Sequence, residues 1–213
     1  MTRRCRVLLI TLCLCPPMLP AAEPADWPEW VGKSRALTMQ LGAELKGELT
    51  RAIEQGGPVA AIPVCRERAP AIAARLSQDS GAKVSRTALR VRNPANAPDD
   101  LQRAVLEQFA GELVAAGTAG GAGAPVAASA AGPLEAVFEI KRATGIERRY
   151  MRAIPTDPLC LTCHGSNLSP ELAAAIARDY PADAATGFAP GELRGAFSVI
   201  WPAAATAATP AKP

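Results

Sequence analysis

Leu37, Leu41, Leu45 and Leu49 recur every four residues, a spacing that lays one apolar stripe along a helix. Ser34 stands before the stripe as a cap, and Gly56-Gly57-Pro58 follows it as a stop. A second helical region covers 59–78, segmented by Pro63 and Pro70, most regular at 71–76 and ended by Gly81. Alternation over 84–91 predicts a strand, and Asn93-Pro94 through Pro98 a turn. Asp99 or Asp100 then caps a helix carrying Leu101, Val105, Phe109 and Leu113 on one side. Periodicity disappears over about 117–132 into Gly, Ala and Ser, the composition of a flexible surface insertion. Strands over 134–141 and 147–154, joined at Thr144-Gly145, make a hairpin, after which Pro155 and Pro158 predict an irregular loop. Ser169-Pro170-Glu171 opens a helix reaching about Arg178, 191–201 is a closing strand, and the Ala/Thr/Pro-rich stretch 203–213 reads as a disordered tail. Helices and strands in this order predict an α+β domain.

Composition fits one such domain: of 213 residues, 49% are hydrophobic and 20% charged, too apolar for a disordered chain. With 4% aromatic residues, 17 Gly and 20 Pro, part of the length belongs to loops rather than core. The formal net charge is +3, but Arg3, Arg4 and Arg6 precede the first acid, Glu23, so 20 basic and 20 acidic side chains remain beyond them. That balance argues against a nucleic-acid partner, which calls for a basic excess to displace phosphate counterions. The same arginines, the apolar run 7–14 and the small pair Ala21-Ala22 have the layout of a cleaved signal peptide over 1–22, which predicts export. A run this short, broken by Pro16-Pro17, does not span a hydrocarbon core of about 30 Å, so no permanent membrane anchor is expected. Cys13 and Cys15 lack the small residues before them that a lipoprotein signal carries. The globular domain is then 23–202.

Export changes the meaning of the cysteines. Cys5, Cys13 and Cys15 leave with the signal, and Cys65, Cys160 and Cys163 stay, an odd number in an oxidising compartment. Cys160-Leu161-Thr162-Cys163-His164 is C-x-x-C-H, the attachment sequence for c-type haem, in which each thiol adds to a vinyl group and the histidine supplies the proximal imidazole. A closed zinc tetrahedron is hard to complete with a single histidine and one further thiol. A redox dithiol belongs at the start of a helix after a strand, which the predicted irregular loop does not provide. One covalent haem c is therefore the expected cofactor.

Four blocks carry a resemblance: Ala61-Ile62-Pro63-Val64-Cys65 with Ala69-Pro70-Ala71-Ile72-Ala73; the run from Arg86-Thr87-Ala88-Leu89-Arg90-Val91-Arg92 to Asp99; Tyr150 to Gly165; and Ala185-Thr186-Gly187-Phe188 with Gly191-Glu192-Leu193-Arg194-Gly195-Ala196-Phe197-Ser198. In this order they resemble the periplasmic single-haem c-type proteins with a PAS-like fold, a domain of unknown function found alone or as the sensory part of histidine kinases and chemotaxis receptors. The likeness spans roughly 37–201. It departs at Ala88, where the family often has serine, and at the Gly/Ala insertion. The resemblance implies a PAS-like antiparallel sheet with flanking helices and a periplasmic location.

His164 is the only histidine, so a second histidine on the iron is impossible within one chain; Cys65, Met39, Met151, a lysine, water or nothing remain. The resemblance implies Cys65, since a cysteine in the Val-Cys block serves as sixth ligand in that family. Arg86, Arg90 and Arg92 at period two predict a shared strand face, with Arg90 and Arg92 as candidates for a haem propionate. Trp27, Trp30 and Trp201 are candidates for the haem edge.

Two functions compete. A haem-based sensor of redox state or of a gas such as CO or NO needs a displaceable sixth ligand and a signalling partner. A small periplasmic electron carrier needs two strong ligands, a surface-near haem edge and a redox partner. An enzyme is not expected, because peroxidase-type chemistry calls for a distal acid-base group and no second histidine exists.

Overall fold

The computed structural model describes residues 27–119 and 132–203. The signal-like segment, nearly all of the insertion and the tail beyond residue 203 lie outside the described residues.

The first helix, α1 (Glu29–Ala60), begins five residues before Ser34, so Ser34 is not its cap. Its hydroxyl instead donates to the Trp30 carbonyl of the preceding turn at 2.7 Å and accepts from Trp201 Nε1 at 2.8 Å. With both bonds made, a polar residue is buried as readily as an apolar one, and the stripe runs Val31, Ser34, Thr38, Leu41, Leu45. The axis breaks at Gly57, where φ is +74°, and Pro58 starts the last turn. A π-helical turn, Val64–Arg68, leads into α2 (Ala69–Ser80), which ends at Gly81 in the left-handed conformation, φ +74°.

Strand β1 (Lys83–Thr87) is shorter than the alternation predicted. Past it, Ala88 N–H and the Thr87 hydroxyl both bond the Asn96 carbonyl, closing the chain into a loop. Arg90 and Arg92 therefore sit beyond the strand and do not share a strand face with Arg86. Helix α3 (Asp100–Ala119) opens with a reciprocal cap: Asp99 Oδ1 accepts from Gln102 N–H at 2.8 Å, and Gln102 Oε1 accepts from Asp99 N–H at 3.0 Å. The hairpin is β2 (Glu135–Arg142) and β3 (Gly145–Pro155), turning through Ala143-Thr144. Helices α4 (Pro158–His164) and α5 (Pro170–Asp179) follow, and β4 (Leu193–Trp201) completes a four-stranded antiparallel sheet of order β1-β4-β3-β2.

Because side chains alternate across a strand, neighbours face different cores. Met151, Ala153 and Ala196 meet Val105, Leu106, Phe109 and Leu113 of α3 on one face. Tyr150 and Val199 meet Val31 on the other face, where Val84 and Phe197 join Leu41, Leu45, Ile72 and Leu76. The result is the α+β, PAS-like arrangement expected, a sheet flanked by helices. Helix α5 lies apart, packing Leu172, Ala175, Ile176 and Tyr180 on Ile62, with Cys163 at the edge of that cluster. Among the described residues no helix is long and apolar enough to cross a membrane.

Candidate functional site

Between these cores lies a cavity of about 350 Å³, walled by α1, Ile62 and Cys65, the loop after β1, α4 and the start of β4. Cys65, Cys160, Cys163 and His164 all line it.

The C-x-x-C-H segment is helical, which corrects the irregular loop read from its prolines. Pro158 occupies the first turn of α4, where its missing N–H costs nothing. Asp157 caps the helix, its Oδ1 accepting from Cys160 N–H at 3.1 Å and from the Cys160 thiol at 3.3 Å. One turn of helix then sets Cys160, Cys163 and His164 on one side. Gly165 ends it closely: a Cβ there would stand 2.7 Å from the Leu161 carbonyl oxygen. The pair thus has the strand-then-helix setting of a redox dithiol after all. Its electrostatics are opposite, because burial pushes both thiols up, and nearby Cys65 adds to the effect at Cys163. An attacking dithiol needs one lowered thiol.

His164 is held by a loop over 183–188. Its Nδ1–H donates to the Ala185 carbonyl at 2.6 Å, which fixes the tautomer and leaves Nε2 with a free lone pair. The backbone repeats the attachment: Phe188 N–H donates to the His164 carbonyl at 2.9 Å, and Gly187 N–H to the Gly165 carbonyl at 3.1 Å. Phe188 also meets the imidazole edge-on, with ring centroids 6.2 Å apart. Burial, then the charges of Arg194 and Arg92, push His164 down to about 2, so the ring is neutral, as a metal ligand must be.

Arg92 ties this loop to α4. Its guanidinium donates to both carboxylate oxygens of Asp183 at 3.1 Å, to the Cys163 carbonyl at 2.8 Å and to the Ala185 carbonyl at 3.2 Å. The pair is buried, Arg92 at 8% exposure. Arg92 therefore positions the histidine loop, and Asp183, which the sequence reading missed, is its counter-charge.

Arg90 takes another course: its guanidinium lies 3.6 Å above the Phe188 ring and 3.4 Å from Glu192, and it is not among the cavity-lining residues. Arg86 and Arg194 do line the cavity. The tryptophans do not. Trp30 and Trp201 pack with Val31 and Tyr150, while Trp27 is exposed against Arg35. Of the candidates opposite His164, Met39 is 61% exposed and Met151 is buried in the α3 core, whereas Cys65 and Lys46 reach the cavity. Lys46 is paired with Asp157 at 3.0 Å. That pairing and Cys160 hold the Asp157 carboxyl below its usual range against the effect of burial.

Chemically, the cavity brings together two thiols able to form thioethers, a neutral imidazole with an open nitrogen, and a third thiol from a separate element. Among the described residues no three or more of His, Cys, Asp and Glu are grouped to hold a bare metal ion. A family model described as Tll0287-like matches residues 24–202. Among solved structures, the crystal structure of the cyanobacterial heme-protein Tll0287 is 26% identical, with a TM-score of 0.54, over 85% of this chain and 100% of that one. No curated protein matches the chain.

Proposed function

This chain belongs to the Tll0287-like family, and on that premise we propose that it is an exported, periplasmic haem-binding protein carrying one covalent haem c and acting as a redox- or gas-responsive sensor module. The observation that carries the reading is the placement of Cys160, Cys163 and a tautomer-fixed His164 on one side of α4, facing one largely apolar cavity.

Haem held there supplies an iron that cycles between ferric and ferrous states and takes diatomic ligands. The chain's own groups do the rest. Cys160 and Cys163 would hold the haem covalently, each S–H adding across one vinyl group to give a thioether. His164 presents Nε2 while the Ala185 carbonyl keeps the proton on Nδ1. Cys65, on the π-helical turn, would offer its thiol to the iron from a separate element. Leu45, Leu49, Ile62 and Phe197 keep water from the enclosed faces. Export rests on the signal-like segment 1–22, which also delivers the chain to the compartment where c-type attachment is expected.

What favours a sensor over an electron carrier is the difference in support between the two candidate ligands. His164 is fixed by side-chain and backbone bonds, while Cys65 stands on a five-residue turn with no buried member. So lightly held, Cys65 would suit the role of a displaceable ligand, and its movement would change the turn that a signalling partner could read. The test combines a denaturing gel stained for haem with spectra of the reduced protein under CO. Haem retained on the denatured polypeptide, with CO uptake on reduction, is the expected result. Loss of all stain from correctly exported protein overturns covalent attachment. A low-spin ferrous form indifferent to CO assigns the protein to electron transfer.

A further inference from the structure

Three guanidiniums line the cavity: Arg86, Arg92 and Arg194. Arg92 is fully committed to Asp183 and two carbonyls. Arg194 makes a single long hydrogen bond, 3.4 Å to the Arg90 carbonyl, and lies 5.3 Å from the Phe188 ring centre. The Arg86 guanidinium shows no ion pair or hydrogen bond among the described residues, although Cys65 and Tyr180 are its electrostatic neighbours. The one carboxylate in the lining, Asp157, is taken by Lys46 and Cys160. Two half-buried guanidiniums thus face the cavity without a carboxylate partner of their own, an arrangement that is costly unless a ligand brings the negative charge.

The backbone is built to aim one of them. Ile154 pairs with Gly195 and Pro155 with Leu193, so Arg194 is the extra residue of a β-bulge. The bulge turns Leu193 and Ala196, three apart, onto the same α3 face and sends Arg194 to the cavity side with Phe197. Gly195, next in the chain, lets β4 close on the end of β1, since a Cβ there would lie 2.5 Å from the Thr87 carbonyl oxygen. Arg86 enters from the neighbouring strand, paired with Phe197, so the two side chains start three residues apart, roughly 10 Å along the strand direction.

We propose that Arg86 and Arg194 form a carboxylate subsite that binds the two ionised propionates of the haem, Arg90 and Arg92 serving the loop instead. Two guanidiniums at separate points match a dicarboxylate better than a single small ion, and each can form charge-assisted hydrogen bonds to one carboxylate. The inference rests on the haem reading above and deepens it.

The test titrates the full chain, produced without haem, with ferric protohaem and with its dimethyl ester, following the optical spectrum. Wild type should bind the diacid at least tenfold more tightly than the diester. Arg86→Gln and Arg194→Gln should each weaken diacid binding about tenfold and leave diester binding unchanged, which also shows that the variants are folded. Arg86→Lys should keep part of the preference, and the double glutamine variant should lose it. Equal binding of diacid and diester by wild type, or an undiminished preference in both glutamine variants, overturns the subsite and leaves the haem reading standing. Failure of wild type to bind either compound overturns both.

Discussion

The two walls that carry the candidate iron ligands are built to different standards. On the His164 wall, a seven-residue helix capped by Asp157 is joined to the 183–188 loop through the imidazole, two backbone bonds and the buried Arg92–Asp183 pair. On the Cys65 wall, the π-helical turn has no buried residue; Val64 packs at the edge of the Leu41 cluster, and the turn's charged members make solvent-exposed pairs, Arg66 with Glu67 and with Asp179, and Arg68 with Glu48. Exposed pairs contribute little to stability, whereas removing one partner of a buried pair strands the other. The difference shows where this fold invests its order: His164 is fixed by redundancy, and Cys65 stands on an element with fewer buried contacts.

The comparison breaks most severely at Arg92. Arg92→Leu should cost about 3–5 kcal/mol in denaturant unfolding, because Asp183 is left buried and unpaired. It should also release the Ala185 carbonyl from one of its two donors and lower haem incorporation. An unfolding midpoint equal to wild type would show that the loop does not depend on the pair. Next in size is Gly165→Ala, whose new methyl must displace the Leu161 carbonyl from 2.7 Å. A loss of about 1–3 kcal/mol is expected by thermal unfolding.

The sheet face beneath α1 offers a gentler probe through Tyr150 of β3, packed on Val31, its hydroxyl donating to Glu135 at 2.6 Å. Burial first, and then that bond, raise the phenol above its ordinary value of 10.0. As pH rises past about 10 the unfolded chain ionises before the folded one, so this stabilisation is complete below pH 10 and is lost above it. Tyr150→Phe should cost about 1 kcal/mol at neutral pH and flatten the alkaline decline, measured by urea unfolding from pH 8 to 11. Smallest of all, Arg68→Ala on the π-helical turn should leave the unfolding midpoint unchanged within error. A clear loss there would mean that the Cys65 wall is stiffer than its exposure implies.

Much of this architecture was legible because it is local. The Leu41 and Leu45 stripe, the Asp99 cap, the Ser169 cap and the Gly81 stop each follow from residues within one or two turns. The start of α1 was misread because Ser34 and Thr38 continue the stripe as polar residues, each satisfied by a backbone carbonyl of its own helix. The shortened β1 and the off-cavity Arg90 follow from bonds to Asn96 and contacts with Phe188 and Glu192 that period-two counting does not contain. Arg92 and Asp183 stand 91 residues apart, so no spacing rule joins them. In the candidate site, the C-x-x-C-H motif was readable because its chemistry needs consecutive positions. The positioning shell around His164 was not, because it comes from the loop after β1 and the loop before β4. Arg194 left a trace in the Gly-Glu-Leu-Arg-Gly run, whose terminal glycine marks the close approach that aims it.

On the proposed reading, Cys65, from the less buried wall, would complete the coordination that His164 begins. Electron paramagnetic resonance of the ferric haem-loaded protein, beside Cys65→Ala, tests it most directly. Wild type should show a low-spin, thiolate-type signal, and the alanine variant a high-spin or water-ligated iron with haem still covalently attached. An identical low-spin signal in a folded Cys65→Ala protein would contradict that role and turn the search to the remaining cavity donors, Lys46 first.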